Sequence, residues 1–144
     1  MWLMMHKLLS TQHKLHHLGS INSPTCKMPN CSEDGTLLHE LINCASNDGV
    51  GEKLVQCLQL RVPGLEAEKV LRLEHGDISK ETSLPATLLT AISLNHIWKE
   101  RTAGNRIRAY KVRAELEQYI TLLRTTSLNS AAIVLVEMTN YMFD

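Results

Sequence analysis

Three cysteines and one histidine in the first third of the chain have a spacing that suits a metal ion. The pattern is Cys-x4-Cys-x7-His-x4-Cys, formed by Cys26, Cys31, His39 and Cys44. Zinc takes four tetrahedral ligands from cysteine sulfur and histidine nitrogen, supplied here as two close pairs on either side of a short spacer. Four protein ligands leave no position for a reactive water. These residues are therefore predicted to bind one structural zinc ion.

The two ligand pairs need different backbone shapes. The first pair lies in a loop-like stretch with Pro24 and Pro29, where the chain can turn both thiolates towards one ion. The second pair starts on a short helix predicted from Leu37 to about Asn43, which Thr36 can cap. Residues five apart on an ideal helix point about 140° away from each other. The helix must therefore tighten or end before Cys44.

Other interpretations of the cysteines are weaker. Cys26 and Cys31 could be loop thiols and Cys44 a small buried residue, with His39 an ordinary helix residue. Two disulfides would suit a secreted protein, but the amino terminus lacks a charged n-region and its apolar run is short. An intracellular location, cytoplasmic or nuclear, is favoured, where thiols stay reduced. Cys57 lies on an apolar helix face and is predicted to belong to the core.

Histidines near the amino terminus raise the question of a second metal site. They are His6, His13, His16 and His17, and some of these pairs have helical ligand spacing. Without a cysteine or carboxylate partner nearby, a solvated helix face explains them more simply.

A basic segment, residues 99–113, lies in the second half of the chain. The net charge is zero, so only local clustering can favour a polyanionic partner. Glu100 is the one acidic residue between Trp98 and Arg113. The segment is predicted to contact RNA or DNA phosphates, although a charge run is more often a solvated face. Its cations are Lys99, Arg101, Arg106, Arg108, Lys111 and Arg113.

Composition predicts a mainly α-helical chain. Aromatic residues make up 4% and apolar residues 44%, so the core must consist of aliphatic side chains and methionine, which favours helices packed on helices. A length of 144 residues fits one domain. No apolar stretch approaches the ~20 residues that cross a membrane. The expected divisions are a helical segment at 1–20, a zinc-stapled loop-helix unit at 21–46, short helices at 47–74, a polar linker at 75–83, a helical hairpin at 84–126 and a further terminal helix at 127–144.

Apolar periodicity assigns a buried face to each helix of the hairpin. The first helix is predicted to bury Leu88, Ala91, Ile92, Asn95 and Trp98. The second is predicted to bury Ile107, Tyr110, Ala114, Ile120 and Leu123. Trp98, next to the basic segment, and Tyr110, within it, both fall on these predicted buried faces. Stacking of these two rings on nucleic-acid bases is therefore disfavoured.

No catalytic motif is present in the sequence. The aspartates are scattered and form no paired-carboxylate motif for two-metal chemistry. There is no Gly-x-Ser-x-Gly sequence and no glycine-rich phosphate loop. The chain is therefore predicted to be non-enzymatic.

Several segments of the chain form a pattern that is known from one family. These segments are Leu8 to Gly19, Pro24 to Cys26, Cys31, Glu33-Asp34, Leu38-His39, Cys44, Ile97 to Arg101, Arg113 to Glu117 and Leu122 to Arg124. Together they resemble the carboxy-terminal region of the reverse-transcriptase polyprotein of non-LTR retrotransposons, which has a helix ending in Leu-Gly, a Cys-Cys-His-Cys zinc motif and a helical tail. The resemblance covers most of residues 1–124.

The resemblance implies a zinc-binding region that helps to grip element RNA or target DNA, detached from its polymerase. Only the four metal ligands carry over residue by residue. The first cysteine pair has four intervening residues where many relatives have two, and Ser10 stands where the family often has proline. The polymerase signature Tyr-x-Asp-Asp does not occur. Two alternatives are a zinc-stabilised module whose apolar helix faces bind a protein partner, and a retroelement remnant without independent function.

Overall fold

The computed structural model describes residues 11–144, and over this range the chain is mainly α-helical, as predicted. A π-helix at His39–Asn43 and a 3-10 turn at Ala45–Asn47 precede the longer helices. Within residues 11–144 there is no β-strand, although Thr25 and Asp34 form an isolated antiparallel bridge. The α-helices are α1 Gln12–His17, α2 Val50–Gln59, α3 Ala67–Leu71, α4 Lys80–Thr102, α5 Ala109–Thr125 and α6 Asn129–Phe143.

Helix α1, which lies within the helical segment predicted at 1–20, is capped at both ends. Thr11 Oγ1 accepts a hydrogen bond from the Lys14 N–H at 3.3 Å, which caps the amino terminus. Beyond the last turn Gly19 has φ +75°, a left-handed conformation that glycine adopts without strain. The rest of the predicted segment 1–20, with His6, lies outside the described residues.

Helices α4, α5 and α6 pack against one another in a three-helix arrangement, with α2 against α4 and α6. Leu89 of α4, Leu116 of α5 and Leu135 of α6 are fully buried in the shared core. The predicted hairpin is thus present, and the terminal helix is an integral part of its core.

The predicted buried face of α4 is only partly right. Ile92 is buried, Leu88 and Trp98 are partly buried and pack against the core, and Ala91 and Asn95 are only partly buried. This helix contacts α2, α5, α6 and the π-helix, so it buries more than one stripe and single-face periodicity misassigns it. The fully buried apolar positions instead include Ala86, Leu89 and Ile97.

The face of α5 is partly as predicted. Ile107, Ile120 and Leu123 are buried, whereas Tyr110 is 68% exposed and Ala114 is also exposed. The error arises because α5 begins at Ala109, so Ile107 belongs to the preceding loop and does not set the phase of the helix. Val112 and Leu116 take the remaining core positions.

The segment predicted as a polar linker, 75–83, contains the start of α4 at Lys80. His75 and Thr82 in the same segment are buried. The core on either side is continuous, since Leu41 and Leu54 belong to the same cluster as the residues of α4 to α6.

Across residues 11–144, none of the helices combines the length and the apolar character that crossing a membrane requires.

Candidate metal centre

The four predicted ligands lie together. The Sγ atoms of Cys26, Cys31 and Cys44 and a ring nitrogen of His39 are all within 4.8 Å of one another. Cys26 Sγ is 3.9 Å from Cys44 Sγ, and Cys31 Sγ is 3.2 Å from His39 Nε2. A zinc–sulfur bond of about 2.3 Å in a tetrahedron gives a sulfur–sulfur distance of roughly 3.8 Å. None of these cysteines forms a disulfide, so this cluster could bind a metal ion.

The first ligand pair is held in the metal loop, which we define as residues 24–36. The bridge between Thr25 and Asp34 closes this loop. Next to it the Cys26 N–H donates to the Glu33 carbonyl at 2.8 Å. The Cys31 N–H donates to the Met28 carbonyl at 3.2 Å, which turns the chain back between the two cysteines. The loop therefore brings both sulfur atoms to the same side.

The second ligand pair is positioned by the π-helix. Thr36 Oγ1 accepts from the His39 N–H at 3.2 Å, which confirms its predicted capping role. The helix ends before Cys44, as expected, but its turn is widened and not tightened: the Cys44 N–H donates to the His39 carbonyl, five residues back, at 2.8 Å. The wider turn brings both side chains to one point despite their five-residue spacing.

Glu33 lies beside the ring nitrogen of His39 that faces away from the sulfur atoms. Its carboxylate is 3.1 Å from Nδ1, but outside hydrogen-bonding geometry, so this nitrogen is buried without a hydrogen-bond partner. The Glu33 side chain is 74% exposed and free to reorient. A histidine that binds metal through Nε2 commonly donates its other N–H to a carboxylate, and Glu33 is placed for that role.

Helix α1 packs on the metal loop through a close backbone approach. The His13 N–H donates to the Gly35 carbonyl at 3.0 Å, and the buried Glu40 accepts from the Gln12 N–H at 3.1 Å. A Cβ atom at Gly35 would lie 2.6 Å from Gln12 Cβ and 2.7 Å from Glu40 Oε1. Glycine is therefore needed at this position for α1 to dock.

Arg101 of α4 reaches into the metal centre. Its side chain is 2% exposed and donates to Cys26 Sγ at 3.1 Å and to Asn47 Oδ1 at 3.1 Å. Asn47 in turn donates to the Glu40 carbonyl at 2.8 Å, at the base of the π-helix. The metal centre is thus joined to the helical core by a buried polar network.

Burial and the neighbouring Arg101 guanidinium shift the pKa values of Cys26 and Cys44. Burial raises the pKa of the Cys26 thiol, against opposing hydrogen bonds from the Met28 backbone and Arg101. At Cys44 burial acts in the same direction, but interactions with Arg101 and Ser46 outweigh it and the pKa is lowered. Burial acts to lower the pKa of Arg101 itself, but its cysteine neighbours raise it. The guanidinium stays charged and favours a thiolate at Cys44.

Arg101 was expected to bind nucleic acid, and the structure places it elsewhere. A buried guanidinium that contacts a sulfur ligand has no access to phosphates. The sequence held a signal for this position: Ser93, Ile97 and Arg101 follow one another at four-residue intervals, which continues the buried stripe of α4.

The other five residues that are predicted to contact phosphates differ in whether an acidic side chain pairs with them. Arg113 pairs with Glu117 at 3.1 Å and with the Asp144 carboxylate. The remaining four cations are exposed, and Tyr110, predicted to be buried, is also exposed at 68% among them. The surface of the basic segment therefore consists of Lys99, Arg106, Arg108 and Lys111.

Asp48 connects the end of the metal-binding unit to the basic segment through a hydrogen bond, its carboxylate accepting from the Ala109 N–H at 2.8 Å. Asp48 is exposed and has φ 55°, in the left-handed region. This bond fixes the amino terminus of α5 next to the metal centre, where a carboxylate also suits the helix dipole.

Cys57, His75 and His96 lie outside the Cys/His cluster and interact with other groups. Cys57 is 2% exposed and its thiol donates to the Met138 carbonyl, so it is a core residue as predicted. Burial raises the pKa of Cys57 to about 11. His75 Nε2 lies 3.2 Å from Thr90 Oγ1, and His96 Nδ1 lies 2.7 Å from the Glu115 carboxylate. In the part of the chain described, the Cys/His cluster is the one group that could hold a metal.

Comparisons with protein-family models, with curated proteins and with solved structures found no match. What the chain does must therefore be inferred from its own residues and their geometry.

Proposed function

We propose that this chain is a non-catalytic module built around one structural zinc ion. The observation that carries the proposal is the convergence of Cys26, Cys31, His39 and Cys44, whose donor atoms lie within 4.8 Å of one another. Three sulfur ligands and one imidazole suit zinc, and a closed set of four protein ligands is typical of structural sites. The ion would join the metal loop to the π-helix.

The metal would raise the free energy of unfolding of the chain because the metal loop has few apolar contacts of its own. Near the ligands, Met28 is the one further residue in the small buried cluster formed by Cys26 and Cys44. In such a unit the free energy of metal binding becomes free energy of folding.

We further propose that the exposed cations of the basic segment contact nucleic-acid phosphates. Lys99, Arg106, Arg108 and Lys111 have no acidic partner within ion-pair distance among the described residues, and the exposed Tyr110 lies between them. An accessible aromatic ring beside free cations suits a single strand, where bases stack on side chains. A zinc region of a retroelement polyprotein remains the proposed origin, supported by the segments quoted above.

A second candidate function is binding of a protein partner. It is supported by apolar side chains left on the surface of α5 and α6, including Leu122 at 53% exposure and Ile133 at 58%. Binding to phosphates should weaken steeply with salt, whereas binding through these apolar side chains should change little.

Metal analysis of the purified chain tests the zinc site. We expect one equivalent of zinc in the parent and none in a Cys26→Ser/Cys31→Ser variant, because half of the ligands are lost. Cys57→Ala is the matched control: it removes a cysteine outside the cluster and should retain one equivalent. A parent chain without metal, or a double variant that keeps its full equivalent, would refute the site.

A further inference from the structure

Arg101 is a buried cation with no carboxylate in direct ion-pair contact among the described residues. Its side chain is 2% exposed, and no carboxylate of the described residues lies within ion-pair distance of it. Residues 1–10 contain no Asp or Glu. An uncompensated buried charge costs several kcal/mol, so a buried arginine is normally paired. Its guanidinium donates to the neutral amide of Asn47 and to the sulfur of Cys26, and it also interacts with Cys44 and, beyond ion-pair distance, with the buried carboxyl of Glu40.

The charge of the metal centre supplies the missing counterion. A divalent ion carries +2, three thiolates carry −3 and a neutral imidazole carries none, so the loaded cluster has a net charge of −1.

We propose that Arg101 is the counterion and outer-sphere hydrogen-bond donor of the metal centre, selecting a divalent ion bound by three thiolates. The proposal rests on the zinc function proposed above. Its guanidinium balances the single negative charge, and its N–H bond to Cys26 Sγ withdraws electron density from one ligand. Arg101 is a positioning residue, since it acts on the metal through Cys26.

This role also explains why the metal centre lies against α4 rather than on an isolated loop. Arg101 is 75 residues away from Cys26 in sequence, and Asn47 holds the second arm of the guanidinium fork. A monovalent ion with the same ligands would leave a net charge of −2, which one arginine does not balance. The centre should therefore discriminate by charge as well as by ligand type.

Cobalt substitution provides a readout that a merely structural role would not change. Co²⁺ bound to thiolates gives a sulfur-to-metal charge-transfer band, and a hydrogen bond to sulfur moves that band to higher energy. We expect Arg101→Met to shift the band to lower energy and to weaken Co²⁺ binding by about 10- to 100-fold, the usual effect of losing an outer-sphere partner. Arg72→Met, at an exposed arginine, is the control and should match the parent.

Two further variants separate charge from hydrogen bonding and decide the question if Arg101→Met does not fold. Arg101→Lys keeps the charge, and Arg101→Gln keeps an N–H donor without charge. If charge balance matters, the Lys variant binds Co²⁺ more tightly than the Gln variant.

The outcomes distinguish this inference from the zinc proposal. A parent chain with no charge-transfer band refutes the zinc site and, with it, the role of Arg101. A parent chain with the band, but with every Arg101 variant equal to it in band energy and affinity, refutes the role of Arg101 alone.

Discussion

The proposed binding of nucleic acid should depend on salt to an extent set by the number of exposed, unpaired cations in the basic segment. Each phosphate contact contributes about −0.9 to the slope of log K against log salt concentration on duplex DNA. Six contacts, as the sequence suggests, would give about −5.4. The structure removes Arg101 by burial and Arg113 by ion pairing, so four contacts remain and the expected slope is about −3.6.

These two slopes are easily separated by experiment. Between 50 and 200 mM salt, a slope of about −3.6 weakens binding roughly 150-fold, whereas about −5.4 weakens it roughly 1,800-fold. Fluorescence anisotropy of a labelled oligonucleotide at several salt concentrations gives the slope directly. On a single-stranded oligonucleotide, four contacts predict about −2.8.

Single variants assign the slope to residues. Arg108→Gln and Lys111→Gln should each make the slope less steep by about 0.9. Arg113→Gln should leave it nearly unchanged, as should Lys53→Gln, an exposed cation on α2. A slope near −5.4, an Arg113 effect equal to that of Lys111, or binding that ignores salt would each show that the assignment is wrong.

Three further predictions concern stability and can be checked by chemical unfolding. Gly51→Ala should lower the free energy of unfolding by about 1–3 kcal/mol despite the helix propensity of alanine, because the new Cβ would lie 2.5 Å from Ile42 Cα. Glu52→Ala, at an exposed position, is the control. A Gly51→Ala variant that is more stable than the parent would contradict the structure. Leu135→Ala should lower the free energy of unfolding by about 2–5 kcal/mol, whereas Ile133→Ala, at an exposed site, should change it by no more than about 0.5 kcal/mol. Equal effects would mean that Leu135 of α6 is not packed in the core. Burial lowers the pKa of His75 in the folded chain. As pH falls, His75 therefore takes up a proton in the unfolded chain before it does so in the folded chain. The free energy of unfolding decreases below the pKa of an unfolded histidine, about 6.5, by at most about 1.4 kcal/mol per pH unit. His75→Gln should make the unfolding free energy less dependent on pH between 7 and 5, and an unchanged profile would exclude His75 as the cause.

The cluster of candidate metal ligands could be predicted from sequence because its signal is local. Residue type and spacing identified Cys26, Cys31, His39 and Cys44, and Thr36 was a recognisable helix cap. The turn between the last two ligands could not be assigned, since a π-helix differs from an α-helix by one hydrogen-bond register and has no strong sequence signature.

The errors came from residues whose environment depends on distant elements. Arg101 is charged and lies among other cations, so a surface position was the natural prediction, yet a sulfur atom 75 residues away gives it a buried partner. Tyr110 is predicted to be buried because the apolar pattern is counted from Ile107, which lies two residues before the start of α5. Long-range packing decides both positions, and local periodicity does not contain it.

The contact between Arg101 and Cys26 also implies an order of assembly. Cys26 and Cys44 are 18 positions apart in the sequence, whereas Cys26 and Arg101 are 75 positions apart. Closing the longer loop costs about 1.3 kcal/mol more in chain entropy. We therefore expect the metal loop and the π-helix to close around the ion first, and α4 to dock afterwards and add the buried positive charge. A stopped-flow experiment would then show the metal signal before Trp98 packs against the core.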